Sequence, residues 1–208
     1  MKRFLGLYYG WRITAALAVT ETISWGILYY AFSVFLVPMH DDLGWSVTAM
    51  TGAYSLALLV SGLLAPLVGR WLDRRGPRGI MTAGSAVGVI ALLTWSRVDS
   101  IAGFYVLWVG IGIAMSTTLY EPAFATLTRW FSRGRSRALL IVTIAAGFAS
   151  TIFLPFASLL VEHLGWRHAL LVLAAILGIT AIPLHGFILR RRPEDLGLTV
   201  DGDPGSET

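Results

Sequence analysis

Six apolar runs, at about residues 13–37, 47–69, 79–96, 102–126, 138–161 and 168–189, alternate with short charged segments along this chain. Each run has at least 18 residues, enough as a helix to cross a hydrocarbon core of ~30 Å. Membrane strands would need only ~10 alternating residues apiece, and no such alternation is present. Backbone groups find no water inside lipid, so the runs must be helical. Composition agrees: 56% of the 208 residues are hydrophobic and 13% are charged, about half the charged share of a soluble domain. With a mean hydropathy of +0.70, a water-soluble globule could not hide its apolar surface. The same figures exclude disorder, coiled coil and collagen. There is no cysteine, which removes disulfides, thiolate metal sites and cysteine nucleophiles. The expected fold is an all-α membrane protein with six transmembrane helices, its first partner the lipid bilayer.

Basic residues set the orientation. One side collects Lys2, Arg3, Arg12, Arg70, Arg74, Arg75, Arg78, Arg129, Arg133, Arg135, Arg137, Arg190, Arg191 and Arg192, and the other only Arg97 and Arg167. Short loops with this bias place the arginine-rich side and both termini in the cytoplasm. The excess of +4 therefore reads as topology, with no nucleic-acid partner. The expected organisation is a cytoplasmic N-terminus at 1–12, a bundle at 13–189 and a cytoplasmic linker or tail at 190–208. Glu194, Asp195, Asp201, Asp203 and Glu207, interspersed with Pro and Gly, make that tail a solvated segment. The first span is too long for a signal-peptide core and is expected to stay uncleaved. Trp11, Trp45, Trp71, Trp95, Trp130 and Trp166 lie near span ends, as interfacial anchors do, whereas Trp25 and Trp108 lie inside spans. Gly84-x-x-x-Gly88 is a helix-packing motif. No histidine has a metal-ligand partner at suitable spacing.

Glu21 in span 1 and Glu121 in span 4 are the only acids well inside the hydrocarbon. An ionised side chain near mid-membrane costs at least ~2.5–3.5 kcal/mol on insertion scales. Glu21 follows Arg12 by nine residues, ~13 Å along a helix, and Glu121 precedes Arg129 by eight, ~12 Å. On antiparallel helices the two acids reach similar depth. Helical spacing puts Ser24, Trp25, Leu28 and Phe32 on the face of Glu21, and Thr117 and Thr118 on the face of Glu121. Such a mixture of hydroxyl and aromatic groups suits a cavity wall. Each carboxyl is either a protonation site or a structural group bonded to hydroxyls or to a carbonyl freed by Pro122.

Between spans 2 and 3 lies Gly69-Arg70-Trp71-Leu72-Asp73-Arg74-Arg75-Gly76-Pro77-Arg78. Gly69, Asp73, Arg74, Gly76 and Arg78 match the loop signature of the major facilitator superfamily, which this chain resembles. Gly165-Trp166-Arg167, the Trp130-Phe131 stretch leading into span 5, and Arg190-Arg191-Arg192-Pro193-Glu194-Asp195-Leu196-Gly197 extend the likeness. Gly10-Trp11-Arg12 and Tyr29-Tyr30 look most like the oxalate/formate and monocarboxylate carriers. The resemblance implies the N-terminal half-bundle of that fold, a 3+3 inverted repeat, with spans 1 and 4 lining the cavity. It implies that Asp73 latches one access state against the opposite half, with Arg74 and Arg78 as supporting charges. The function implied is secondary active transport by alternating access, in the cell inner or plasma membrane, with a monocarboxylate or other organic anion as the candidate solute. No cofactor is called for, and a proton gradient is the expected energy source. The other cavity wall is expected from a C-terminal six-helix half or a second copy. Rival readings are a drug or metabolite efflux half and a non-transporting interaction or regulatory remnant. No Walker-type phosphate loop, Gly-x-Ser-x-Gly turn or His-Glu-x-x-His helix is present, so an enzyme is not expected.

Overall fold

The computed structural model describes residues 8–203. Lys2, Arg3 and Glu207, used above for orientation and tail character, lie outside them. The described residues form no strand. Four helical runs come first: α1 (Tyr9–Leu43), α2 (Val47–Arg75), α3 (Pro77–Trp95) and α4 (Ile101–Trp130). A fifth run, Arg135–Ile188, is two helices meeting at Gly165, whose φ of 75° and ψ of 159° are non-helical. We label its parts α5 (135–164) and α6 (166–188). Only a residue without a Cβ accepts that backbone cheaply, which is why the turn falls at Gly165.

Local chemistry fixes the helix ends. The Ser46 hydroxyl accepts from the Ala49 amide at 3.2 Å and the Ser100 hydroxyl from Gly103 at 3.2 Å, capping α2 and α4. Gly76 ends α2 at φ 79° and Pro77 starts α3, the residue types expected on either side of such a boundary. Two helices are internally irregular. Helix α1 widens to a π-helix over Trp25–Tyr30, and α4 breaks at Leu119, where ψ is −159°.

Helix α2 packs along α4, α5 along α1, α3 along both α4 and α6, and α6 along α1. Exchanging α1 with α4, α2 with α5 and α3 with α6 leaves this set of pairings unchanged, as a 3+3 repeat requires. The close-packing motif of α3 works as read: a Cβ on Gly84 would collide with the Thr117 side chain, and one on Gly88 would lie 3.2 Å from Leu177 and 3.4 Å from Ala114. Gly26 in the π segment is closed off by the Phe153 ring of α5.

Two apolar clusters fill the bundle. The larger contains Phe35, Met39, Trp95, Phe104 and Trp108, with the Trp95 and Trp108 rings 5.0 Å apart. The second, at the arginine-rich end, contains Ile13, Leu17, Leu127, Trp130, Phe131 and Val142. Trp95, Trp130 and Trp166 are therefore corrected from interfacial anchors to buried core residues. Position along a span does not say which way a ring points. In these three, indole N–H groups find internal partners: the Met39 sulfur, the Arg190 carbonyl and the Asp42 carboxylate. At the opposite end Arg167 bridges the Asp42 carboxylate (3.3 Å) and the Ser96 and Val98 carbonyls, joining α6 to α1 and to the α3–α4 turn.

The acidic tail is a second correction. Over 193–203 it is a docked strap rather than a solvated segment. Pro193 is buried, and short 3₁₀ turns form at Pro193–Leu196 and Val200–Gly202. Pro193 and Leu198 give it a packing side, and Asp201 and Asp203 find donors on the arginine-rich rim, while residues 194–197 stay exposed. Asp201 adopts φ 59° and accepts backbone N–H from Ser132 (3.0 Å), Arg133 (2.8 Å) and Gly134 (3.1 Å). Partial burial works to raise its carboxyl, but these amides and the Arg133 charge outweigh it and hold the group below the usual carboxylate value.

Candidate functional site

Three polar side chains within about one turn of α1 lack a hydrogen-bond partner in the protein. Both Glu21 carboxyl oxygens, the Ser24 hydroxyl and the Trp25 indole N–H are buried without a hydrogen bond, and Glu21 and Ser24 are fully enclosed. Nearly all buried polar atoms in folded proteins are paired, so such a group of orphans marks a place where something other than the protein completes the bonding.

The site continues outward through Trp25. Its ring meets Tyr29 at 5.0 Å and Tyr120 at 4.9 Å, and Tyr120 stacks on Phe124 at 4.9 Å. Beside these rings lies a cavity of about 220 Å³ between α1, α2 and α4, lined by Trp25, Tyr29, Leu58, Ser61, Gly62, Met115, Leu119 and Glu121. Glu121 is exposed there, in the first turn after the α4 break. The break frees the α4 backbone from its previous register and turns this acid toward the opening.

Of the residues grouped by helical spacing, the structure brings Glu21, Ser24, Trp25 and Glu121 to one region. It does not bring Leu28, Phe32, Thr117 or Thr118 to the cavity. Leu28 and Phe32 belong to the larger apolar cluster, where Phe32 stacks on Tyr54 at 4.7 Å and meets Trp108 at 4.9 Å. Thr117 and Thr118 face Gly84 of α3 and return their hydroxyls to the carbonyls of Ile113 and Ala114. The π segment and the Leu119 break each offset the uniform rotation that the spacing assumed. Sequence reading missed Ser61 and Tyr120 at the site. Tyr29 enters the sequence reading only through a resemblance; an aromatic residue about two turns from Glu21 and another beside Glu121 were the available signal.

In the last turn of α2, Asp73 pairs with Arg129 at the end of α4, Oδ1 to Nη2 at 2.6 Å, while the same guanidinium donates to the Leu72 carbonyl at 2.6 Å. The Asp73 side chain stays 76% exposed, so it is held from one side and presented on the other. Gly69 has open space around its missing Cβ, and Gly76 lies against Arg191. Arg74 and Arg78 are exposed and form no ion pair among the described residues. Arg129, read in sequence only as a depth marker, is the loop acid's actual partner.

The groups most suited to metal coordination stay apart: no cluster of three His, Asp or Glu occurs among the described residues. Comparison with known proteins supplies the family. The profile of the Major Facilitator Superfamily matches residues 7–204. Monocarboxylate transporter 13 of Bos taurus is 27% identical over 209 residues, 96% of this chain and 46% of the relative. Monocarboxylate transporter 11 of Homo sapiens is 31% identical over 81% of this chain and 36% of its own length. The oxalate:formate antiporter of Oxalobacter formigenes is 28% identical over 77% of this chain and 38% of its length. The chain spans less than half the length of each of these relatives.

Proposed function

This chain belongs to the major facilitator superfamily, and we propose that it forms the N-terminal wall of a proton-coupled secondary carrier for a small organic anion, a monocarboxylate or a dicarboxylate of similar size. The observation that carries the reading is Glu21: fully buried on α1, with both oxygens unpartnered, one turn from a cavity shared with Glu121. A carboxyl with no cation in reach can shed its charge by binding a proton and regain it when water or substrate arrives. Glu21 is the proton-carrying group in this reading. Ser24 and the Trp25 N–H are the donors that receive its ionised form, and Glu121 is the acid that meets the cavity. The names of the relatives support the anion class.

Among the spans no arginine or lysine faces this cavity, so the cation that meets an anionic solute is assigned to a second six-helix half or a second copy. The arginine-rich end faces the cytoplasm, and the host is the cell membrane. Asp73, steadied by Arg129, acts as the conformational latch, with its exposed side turned to the facing half. Alternating access then proceeds as motion of one six-helix body against the other around the mid-membrane site. Enzymatic chemistry forms no part of this reading.

The test is proton-driven uptake of labelled oxalate, formate and lactate by the complete carrier in proteoliposomes. Glu21→Gln is expected to abolish stimulation by an imposed pH gradient while leaving solute exchange. Retention of full coupling in both Glu21→Gln and Glu121→Gln overturns it.

A further inference from the structure

The 193–203 strap touches both three-helix units at the arginine-rich end. From α1–α3 it meets Tyr8, just ahead of α1, and its approach runs over the α2–α3 turn. There Arg191 donates to the Asp73 carbonyl at 3.4 Å, and a Cβ on Gly76 would lie 2.8 Å from Arg191. From α4–α6 it meets the turn between α4 and α5 through the three amides on Asp201 and an Arg133–Asp203 ion pair. Tyr8 ties the groups together. Its hydroxyl lies 2.9 Å from the Trp130 carbonyl and 3.0 Å from the Thr199 carbonyl, sharing its proton between α4 and the strap. Its ring packs on Trp130 and Phe131.

We propose that the α4–α5 turn is a docking surface for an acidic peptide segment, occupied by residues 199–203 of this same chain, and that the docked strap staples the two three-helix units together. Three convergent amides with an adjacent guanidinium form an anion-binding concavity, which Asp201 and Asp203 fill with complementary charge. Asp201 holds a left-handed backbone that only glycine adopts freely, so the docking contacts sustain a local strain. The tether keeps the segment at a local concentration of roughly millimolar, which favours it over free anions in the cytosol or on lipid. The staple is independent of what the carrier moves.

The chain contains no cysteine, so spin-label pairs report on themselves. Leu196→Cys with Ser136→Cys reads strap docking, and Arg70→Cys with Ser136→Cys reads the spacing of the two units. Both are measured in phosphatidylcholine nanodiscs. The parent protein is expected to give one narrow distance for each pair. Asp201→Ala combined with Asp203→Ala is expected to lengthen and broaden the first and to widen the second. A mobile strap in the parent overturns the docking. A released strap with the 70–136 distance unchanged overturns the staple. A phosphatidylglycerol nanodisc that releases the strap in the parent overturns the assignment of this chain's own segment as the preferred occupant. Should the double variant fail to fold, Arg133→Gln and Tyr8→Phe carry the same two readouts, and unchanged distances in both overturn the proposal.

Discussion

Glu21 on α1 and Glu121 on α4 belong to different three-helix units, and they live in opposite surroundings. Glu21 sits on an unbroken stretch of α1 just before the π segment and is sealed, with Gly26 five residues on pressed against Phe153. Glu121 follows the α4 break and opens on the cavity. The same carboxyl is a closed site in one unit and an open one in the other. What differs is the irregularity beside it: a widened turn keeps α1 continuous, whereas a broken one lets α4 swing its next residue outward. In the function proposed above, the pair would divide the work that a proton-coupled site needs, a protected carboxyl and a wetted approach to it.

The largest expected effect that could break this contrast is on coupling. In proteoliposomes Glu21→Gln should lower pH-driven uptake by about 10-fold or more, equivalent to about 1.4 kcal/mol, and Glu121→Gln by far less. Equal losses would erase the distinction. Next comes packing. Gly26→Ala places a methyl against the Phe153 ring and should destabilise the bundle by about 1–3 kcal/mol, read as a lower midpoint of thermal unfolding in detergent. Gly62→Ala, with open space on the cavity wall, should leave that midpoint in place. Accessibility sharpens the comparison: in the carrier, Glu121→Cys should react with a water-soluble maleimide while Glu21→Cys is protected. A smaller effect belongs to Asp73→Asn, which removes an exposed ion pair worth about 0–1 kcal/mol and should alter transport far more than unfolding.

The last is a pH response of the strap, on the wet rim where neither acid lies. Asp201 is held below its ordinary 3.8, so its contribution to docking is complete above that value. It is lost as pH falls through the lowered one. Tyr8 is pushed up to about 12 by burial, with the Asp201 and Glu194 carboxylates adding to it. Its contribution is complete below the ordinary 10 and is lost as pH rises through about 12. Docking followed by the 196–136 label pair should therefore survive mild acid and mild base alike. Release near neutral pH would contradict the roles given to Asp201, Arg133, Asp203 and Tyr8.

The sequence revealed much of the fold because lipid imposes simple rules. Span length, arginine bias and the Gly165 turn could all be read from residue types alone. That α1 and α4 carry the two acids was equally legible. Facing was not. Thr117 and Thr118 share a face with Glu121 only on a straight helix, and nothing in their spacing announces the break at Leu119. Leu28 and Phe32 were displaced in the same way by the π turn. Asp73 was found by its motif, but Arg129 lies 56 residues away, beyond any local pattern. The strap was misread because acidic, Pro- and Gly-containing stretches are ordinarily solvated. Only the three-dimensional meeting of Asp201 with the 132–134 amides reverses that.

The wide turn at Trp25–Tyr30 has a genetic consequence. A π turn holds one residue more than an α turn needs. Deleting a single codon in that stretch would let α1 close into uniform helix with everything beyond Ala31 facing as it does now, because the wide turn already absorbs the extra residue. Phe32 would still face Tyr54, and Met39 the Trp95 indole. A one-residue loss should thus be tolerated there better than in the regular turns of α1, where it would spin everything beyond it by about 100°.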